Sequence, residues 1–267
     1  MNRKKPIGVF DSGVGGLSVL QSIREKLPFE DLIYVADSGY APYGDKPPHI
    51  VENRAVGITG FLIEMGVKAV VVACNTATAV AVSTLRSMFS LPIVAMEPAV
   101  KPAVKSTKSG VIGIMATEGT LNSSQFATLL DQFGNSAHVI KVPCTGLVEK
   151  VEEAELTSQE TRRLLENYIN PLMERNVDTI VLGCTHYPFL YTLIKDIVGQ
   201  KIELIDTSEA VARQLSRKLE AENLNNRSLT PGSEEFWTSE KSERIQSVIS
   251  RLWQGNVDVK ELPKNLL

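Results

Sequence analysis

A run of short apolar segments alternating with helical stretches begins at Pro6 and starts again at Val111, and this repetition constrains the chain more than anything else in it. Pro6 to Phe10, Leu32 to Ala36, Ala69 to Ala73 and Ile93 to Ala95 are apolar segments of strand length. Between them lie stretches with helical spacing: Leu17 to about Leu27, Ile50 to Met65 and Thr78 to Phe89. In the second of these, Ile50, Arg54, Ile58 and Leu62 recur at every fourth position, which places them on one helix face. Ala69 to Ala73 is apolar without alternation, as expected of a strand buried on both faces. Strands and helices in strict alternation predict the α/β class, with mostly parallel sheets covered by helices on both sides.

The restart repeats the order. Val111 to Met115, His138 to Val142, Thr179 to Leu182 and Ile202 to Ile205 read as strands. Helices run through about Phe133, from Ser158 to about Arg175 and from Leu190 to Val198, while Leu147 to Glu155 reads as a charged segment. Ile7-Gly-Val-Phe overlays Ile112-Gly-Ile-Met at an offset of 105. Val72-Ala-Cys-Asn-Thr76 overlays Leu182-Gly-Cys-Thr-His186, and Pro92 to Ala95 overlays Ile202 to Ile205, both at 110. Near-constant offsets point to two similar three-layer α/β units of about 100 residues each, related by pseudo-symmetry. After Asp206 come a helix from Ser208 to about Glu222, a polar stretch from Asn223 to Gly232, a strand at Glu235 to Thr238 and a helix from Glu243 to Trp253. That tail is too short for a domain of its own and is expected to pack on the first unit. The expected division is therefore 1–98 with 207–267, carrying Asp11 and Cys74, and 99–206, carrying Cys184 and His186.

Composition narrows the function. The 28 Lys and Arg against 31 Asp and Glu give a net charge of −3, so no positive field draws in nucleic acid. Arg3, Lys4 and Lys5 are not followed directly by a long apolar run, and no uninterrupted apolar stretch spans a bilayer, so neither export nor a membrane is expected. Three cysteines, Cys74, Cys144 and Cys184, do not make a disulfide framework. In the cytoplasm that this implies, the thiols stay free.

Ligands of parallel sheets bind beyond the carboxyl ends of strands. Asp11 to Gly16, Pro42 to Gly44, Cys74 to Thr78 and Cys184 to Tyr187 occupy such ends. The two units place a cysteine at equivalent ends, so a pseudo-twofold between them sets the thiols of Cys74 and Cys184 face to face across one cleft. Each precedes a helix start, where unpaired N–H groups favour a thiolate. An ordinary thiol is only about 3% ionised at pH 7, so a lowered pKa is the expectation for both. The bland alternative is that buried cysteines are small hydrophobes. That reading suits Cys144, whereas the polar flanks Asn75-Thr76 and Thr185-His186 argue against it for the other two. Asp11 is either the cap of the following helix or a partner in the cleft. The second unit has Ala116 at that place and offers instead His186, two residues from Cys184, with Glu149, Glu152 and Glu153 after its short strand. His49 and His138 read as surface or packing residues.

Other chemistries fit less well. Gly13-Val-Gly15-Gly-Leu-Ser18, with Asp37 after the second strand, resembles a dinucleotide fingerprint, but Ser18 replaces the third glycine and Asp11 would repel a pyrophosphate. Phosphate-loop and pyridoxal lysines are missing from these loops. Val80 and Leu190 stand where a cysteine phosphatase needs arginine. The cysteines lack the close pairing of a zinc site.

Ile7-Gly-Val-Phe-Asp-Ser-Gly-Val-Gly-Gly16, Pro42-Tyr-Gly44, Val72-Ala-Cys-Asn-Thr-Ala77 and Leu182-Gly-Cys-Thr-His-Tyr-Pro188 together resemble the cofactor-independent aspartate/glutamate racemase family, in its glutamate branch, over nearly the whole chain. The resemblance implies two pseudo-symmetric α/β units with the active site between them. It implies that Cys74 and Cys184 are the acid–base pair, Cys74 acting on the D-isomer and Cys184 on the L-isomer. Asp11 would assist Cys74 and His186 would assist Cys184. A looser match over Cys144 to Val151 points to Glu152 as a further helper, with Glu149 and Glu153 as alternatives. Substrate contacts would come from Asp11, Ser12, Tyr43, Gly44, Asn75, Thr76, Thr185 and His186. The implied ligand is glutamate, with neither cofactor nor metal, and the implied role is supply of D-glutamate for peptidoglycan. Some relatives have a longer N-terminal extension and respond to a cell-wall precursor; six residues precede Ile7 here, and the sequence leaves that control open. The apolar helix faces allow a homodimer without requiring one. The alternatives are a racemase of aspartate or a related amino acid, a nucleotide-dependent oxidoreductase, and an α/β interaction protein with incidental cysteines.

Overall fold

A computed structural model describes residues 3–264. The first unit runs β1 (Ile7–Asp11), α1 (Leu17–Lys26), β2 (Leu32–Ala36), α2 (Pro48–Glu64), β3 (Ala69–Val72), α3 (Asn75–Met88) and β4 (Ile93–Ala95). Helix α4 (Val100–Ser106) leads into β5 (Val111–Ala116), α5 (Glu118–Leu121), α6 (Ser124–Phe133), β6 (His138–Pro143), α7 (Leu147–Glu152), α8 (Gln159–Met173), β7 (Thr179–Leu182), α9 (Tyr191–Val198) and β8 (Glu203–Ile205). The chain closes with α10 (Ser208–Ala221), β9 (Glu234–Thr238), α11 (Glu243–Trp253) and β10 (Val259–Glu261).

Two sheets result, ordered β10-β9-β2-β1-β3-β4 and β6-β5-β7-β8. Every strand pairing in them is parallel. The order β2-β1-β3-β4 of the first sheet recurs as β6-β5-β7-β8 in the second, so the offset between motifs is a repeated topology. Packing repeats as well. A Cβ at Gly8 in β1 would meet Leu62 of α2 at 2.9 Å, and one at the matching Gly113 in β5 would meet Leu172 of α8 at 2.8 Å. In both sheets a glycine in the central strand lets a helix leucine press against the backbone, and burying such a leucine contributes about 1.5–3 kcal/mol.

The tail returns to the first sheet. β9 pairs with β2, and β10 with β9. Phe236 of β9 makes edge contacts with Tyr34 of β2 and Trp253 of α11 at ring separations of 6.3 and 5.5 Å. One apolar core passes through both units, joining Val14 and Leu17 to Leu147, Val148 and Tyr187. No helix among the described residues is long and apolar enough to cross a membrane.

Several local expectations are corrected. Helix α3 begins at Asn75, not Thr78, because Cys74 itself caps it in extended conformation (φ −144°, ψ 122°). The stretch after β5 breaks into α5 and α6, each capped by its own hydroxyl, Thr117 and Ser123. The charged segment is helix α7: its acids surround an apolar face of Leu147, Val148 and Val151, all buried. Helix α4 and edge strand β10 carry too few residues to register as periodic patterns.

Candidate active site

β1 and β3 end side by side in the middle of the first sheet, and β5 and β7 do so in the second. These are the points where strand order reverses and crevices open. Asp11 is the last residue of β1, and Cys74 follows β3. Gly183 and then Cys184 follow β7; a Cβ at Gly183 would lie 2.9 Å from the Met115 carbonyl, so only glycine lets the chain pass β5 this closely. Cys74 and Cys184 line one small cavity, together with Ser12, Tyr43, Gly44, Asn75, Thr76, Thr185 and His186. Pro42, Thr117, Thr120, Val148 and Gly183 complete its wall. Cys144 lies outside it, lining a neighbouring recess with Glu149.

On the first wall, Ala77 N–H donates to Cys74 Sγ at 3.4 Å. The thiol faces Ser12 Oγ at 3.7 Å, and Ser12 Oγ lies 3.4 Å from Asp11 Oδ1. Ser12 therefore stands between thiol and carboxylate. Asp11 is not the cap of α1, whose N-cap is Gly16; it accepts the Gly16 N–H at 2.7 Å and the Thr185 hydroxyl at 3.4 Å, and, fully buried, it is not among the residues that line the cavity. Burial pushes its carboxyl above the usual range, partly offset by the nearby His186. The expected lowering at Cys74 is corrected. Burial first, and then the Asp11 charge, push this thiol well above its ordinary value, and the Ala77 N–H does not compensate.

On the second wall, Cys184 Sγ lies 3.6 Å from His186 Nδ1, and His186 Nε2 lies 2.7 Å from Glu152 Oε1. Burial alone would pull the imidazole down. The bonds to Cys184 and Glu152 outweigh it, and the ring is held well above the ordinary histidine value. Of the three candidate glutamates, Glu152 meets the ring, while Glu153 is exposed and Glu149 faces the recess. His49 and His138 are exposed.

The walls bond directly to one another. Val14 N–H donates to Glu152 Oε1 at 2.7 Å, and Ser18 Oγ to the Thr185 carbonyl at 2.9 Å. The glycines that suggested a dinucleotide loop serve this contact. A Cβ at Gly13 would fall 1.9 Å from Glu152 Oε1, and one at Gly15 would fall 2.3 Å from His186 Nδ1. Asp37 is no ribose ligand, being buried against Arg54 and accepting from Tyr43 Oη at 2.5 Å. Thr76, Thr117 and Thr120 form a hydroxyl cluster with separations of 3.0 to 3.2 Å. Thr117 and Thr120 follow β5, a strand end that the rule applied to β1, β3 and β7 would also have marked. Both amide atoms of buried Asn75 lack a hydrogen-bond partner among the described residues. An unpaired buried amide costs about 1–3 kcal/mol, a burden expected where a ligand completes the bonding.

Two cysteines lining one small cavity, each beside a buried hydrogen-bonding group, fit the class of isomerases that move protons at a single carbon. The sequence pattern of the Asp/Glu/Hydantoin racemases matches residues 7–215. A glutamate racemase of Methylococcus capsulatus is 51% identical over 258 residues, spanning 97% of this chain and 95% of the relative. A glutamate racemase isoform of Bacillus anthracis has the same fold, with a TM-score of 0.89 at 30% identity, covering 98% of this chain and 99% of that one. The Francisella tularensis glutamate racemase, solved with D-glutamate, gives 0.85 at 28% identity and 98% coverage of both chains. The chain belongs to the Asp/Glu/Hydantoin racemase family, in its glutamate racemase branch.

Proposed function

We infer that this chain interconverts L- and D-glutamate without a cofactor and so supplies D-glutamate for peptidoglycan, in the cytosol, where thiols stay reduced. One thiolate takes the Cα proton, and the opposite thiol delivers a proton to the other face, leaving the sulfurs with exchanged protonation states. Following the family pattern, Cys74 serves the D-isomer and Cys184 the L-isomer. Asp11 acts on Cys74 through Ser12, and Glu152 holds the imidazole of His186 beside Cys184.

An amino-acid Cα–H is a very weak acid, so abstraction needs help from the site. Holding sulfur and carbon in place can supply roughly 7–11 kcal/mol of the barrier. Donors aimed at the substrate carboxylate stabilise the charge as it develops. Asn75, Thr185 and the hydroxyl cluster of Thr76, Thr117 and Thr120 line the same cavity and supply such donors for the substrate carboxylates.

The observation carrying this reading is that sulfurs from equivalent ends of β3 and β7 line one cavity. Incubating each glutamate enantiomer with the pure protein in D2O, without added cofactor, tests it. Loss of the Cα–H signal together with optical rotation is expected; retention of both by active-site-intact protein overturns the reading.

A further inference from the structure

Helix α7 has only six residues, too short to hold itself together in water. Its C-terminal carbonyls are satisfied piece by piece. Glu155 N–H donates to the Lys150 carbonyl at 2.8 Å and Ala154 N–H to that of Val151 at 2.9 Å, with Ala154 in the left-handed region at φ +56°. This is the Schellman closure of a helix end. The carbonyl of Glu152 is met from elsewhere: Arg244 Nη1 donates to it at 3.0 Å. Arg244 belongs to α11, in the tail that packs on the first unit. A cation at the carbonyl end of a helix also suits the helix dipole.

The side chain of the same Glu152 is pinned at its other end. Its Oε1 accepts from Val14 N–H and faces His186 Nε2, both at 2.7 Å. One oxygen serving two short bonds leaves little room for the backbone carrying it to shift. We propose that Arg244 is a positioning residue, whose grip on the Glu152 carbonyl keeps that carboxylate seated between His186 and Val14, so that the C-terminal helix helps to set the Cys184–His186 half of the site. This rests on the racemase reading above.

The groups facing His186 are Cys184 on its own loop, Glu152 on α7 and Asp11 at the end of β1. Arg244 itself has Glu240 at 3.8 Å, an exposed pair of little energetic weight. If Glu152 drifts, the imidazolium loses its carboxylate partner and deprotonates at lower pH. Substrate and product are enantiomers, so their equilibrium constant is one and kcat/KM falls equally in both directions. The separate kcat and KM values carry the information.

The test follows racemisation by circular dichroism across neutral and alkaline pH, using the full chain with Arg244→Ala, Arg244→Lys, Glu152→Gln, and Arg244→Ala combined with Glu152→Gln. Arg244→Ala is expected to lower kcat roughly tenfold, to leave KM within about twofold, and to move the alkaline limb of kcat to lower pH. Arg244→Lys falls between it and wild type. Adding Arg244→Ala to Glu152→Gln moves the limb no further, since both act through one carboxylate. Glu240→Gln leaves the kinetics unchanged. The proposal is overturned if wild type racemises while Arg244→Ala keeps the wild-type kcat and limb, if its loss of activity only tracks a loss of folded protein, or if the double variant is additive. Should the alanine variant not fold, Arg244→Lys carries the test, and an unchanged limb and kcat then overturn the proposal. A wild-type chain that does not racemise at all refutes the racemase reading instead.

Discussion

Cys184 Sγ stands 3.6 Å from the Nδ1 of His186, whereas the matching sulfur, Cys74, meets the hydroxyl of Ser12 at 3.7 Å. Sulfurs in topologically equivalent places thus have different neighbours, an imidazole on one wall and, beyond Ser12, an aspartate carboxyl on the other. A two-base racemase needs one sulfur as acid and one as base at the start of each turnover. Burial first, and then Asp11, push the Cys74 thiol above its ordinary value.

Replacing either sulfur removes one of the two proton transfers. Cys74→Ala and Cys184→Ala are each expected to lower racemisation by about 10²–10⁴-fold or more. In Cys184→Ala, elimination of a leaving group from a suitable substrate analogue needs only the remaining thiol and survives for one enantiomer alone. Normal racemisation in either variant rejects the assignment.

Asn75→Ala separates binding from stability. It deletes two buried amide atoms that lack partners, so thermal unfolding should shift upward, toward the about 1–3 kcal/mol that an unsatisfied group costs. At the same time kcat/KM for glutamate should fall by about 10²-fold or more. A destabilised variant with unchanged kinetics would show that Asn75 is structural.

The Asp11 carboxyl is raised by burial, so the folded state binds its proton more tightly than the unfolded chain does. Its favourable contribution is fully present below the ordinary carboxylate pKa and is lost as pH rises through the raised value. Asp11→Asn should therefore unfold at higher temperature than wild type at neutral pH, with the gap closing in acid, while racemisation falls. Melting curves at both pH values check the sign; a variant less stable at neutral pH contradicts it.

Glycines in different surroundings should behave oppositely. Gly13→Ala drives a methyl to within 1.9 Å of Glu152 Oε1 and should cost about 10²-fold or more in kcat by unseating that carboxylate. Gly60, inside α2, has nothing within 4 Å of where its Cβ would stand. Gly60→Ala should stabilise the protein by about 0.5–1 kcal/mol without touching turnover. Kinetics and chemical denaturation of the pair decide between these outcomes.

Arg54→Met strands a charge. Asp37 is fully buried and pairs with Arg54, while its second oxygen accepts both Arg54 Nε at 2.7 Å and Tyr43 Oη. Removing the cation should cost about 3–5 kcal/mol, and the Tyr43–Gly44 wall of the cavity should loosen with it. A denaturation midpoint equal to wild type would refute this account of the pair.

Elements with strong local signals were legible: the strands of both repeats, the long helices, and the strand ends that carry Asp11, Cys74 and Cys184. Helix α7 was not, because Glu149, Lys150 and Glu152 take half of a six-residue segment whose apolar face has only three members. The strand-end rule marks the end of β5 as well, but that its hydroxyls Thr117 and Thr120 join Thr76 in the cavity wall is decided by neighbours in space. Arg244 lies 92 positions from Glu152 in the chain, and nothing in its own surroundings points there.

Periodicity and repeat spacing depend on neighbours a few residues away, so the chain read alone determines its alternating elements, its internal duplication and the pairing of its cysteines. Proton affinity depends on distance and on exclusion of water, which only the packed molecule defines. Tertiary structure therefore decided which of three glutamates meets His186, why Gly13 and Gly15 must lack side chains, and the sign at Cys74. There, removal of water and a carboxylate nearby in space outweigh the helix-start N–H group that the sequence could foresee.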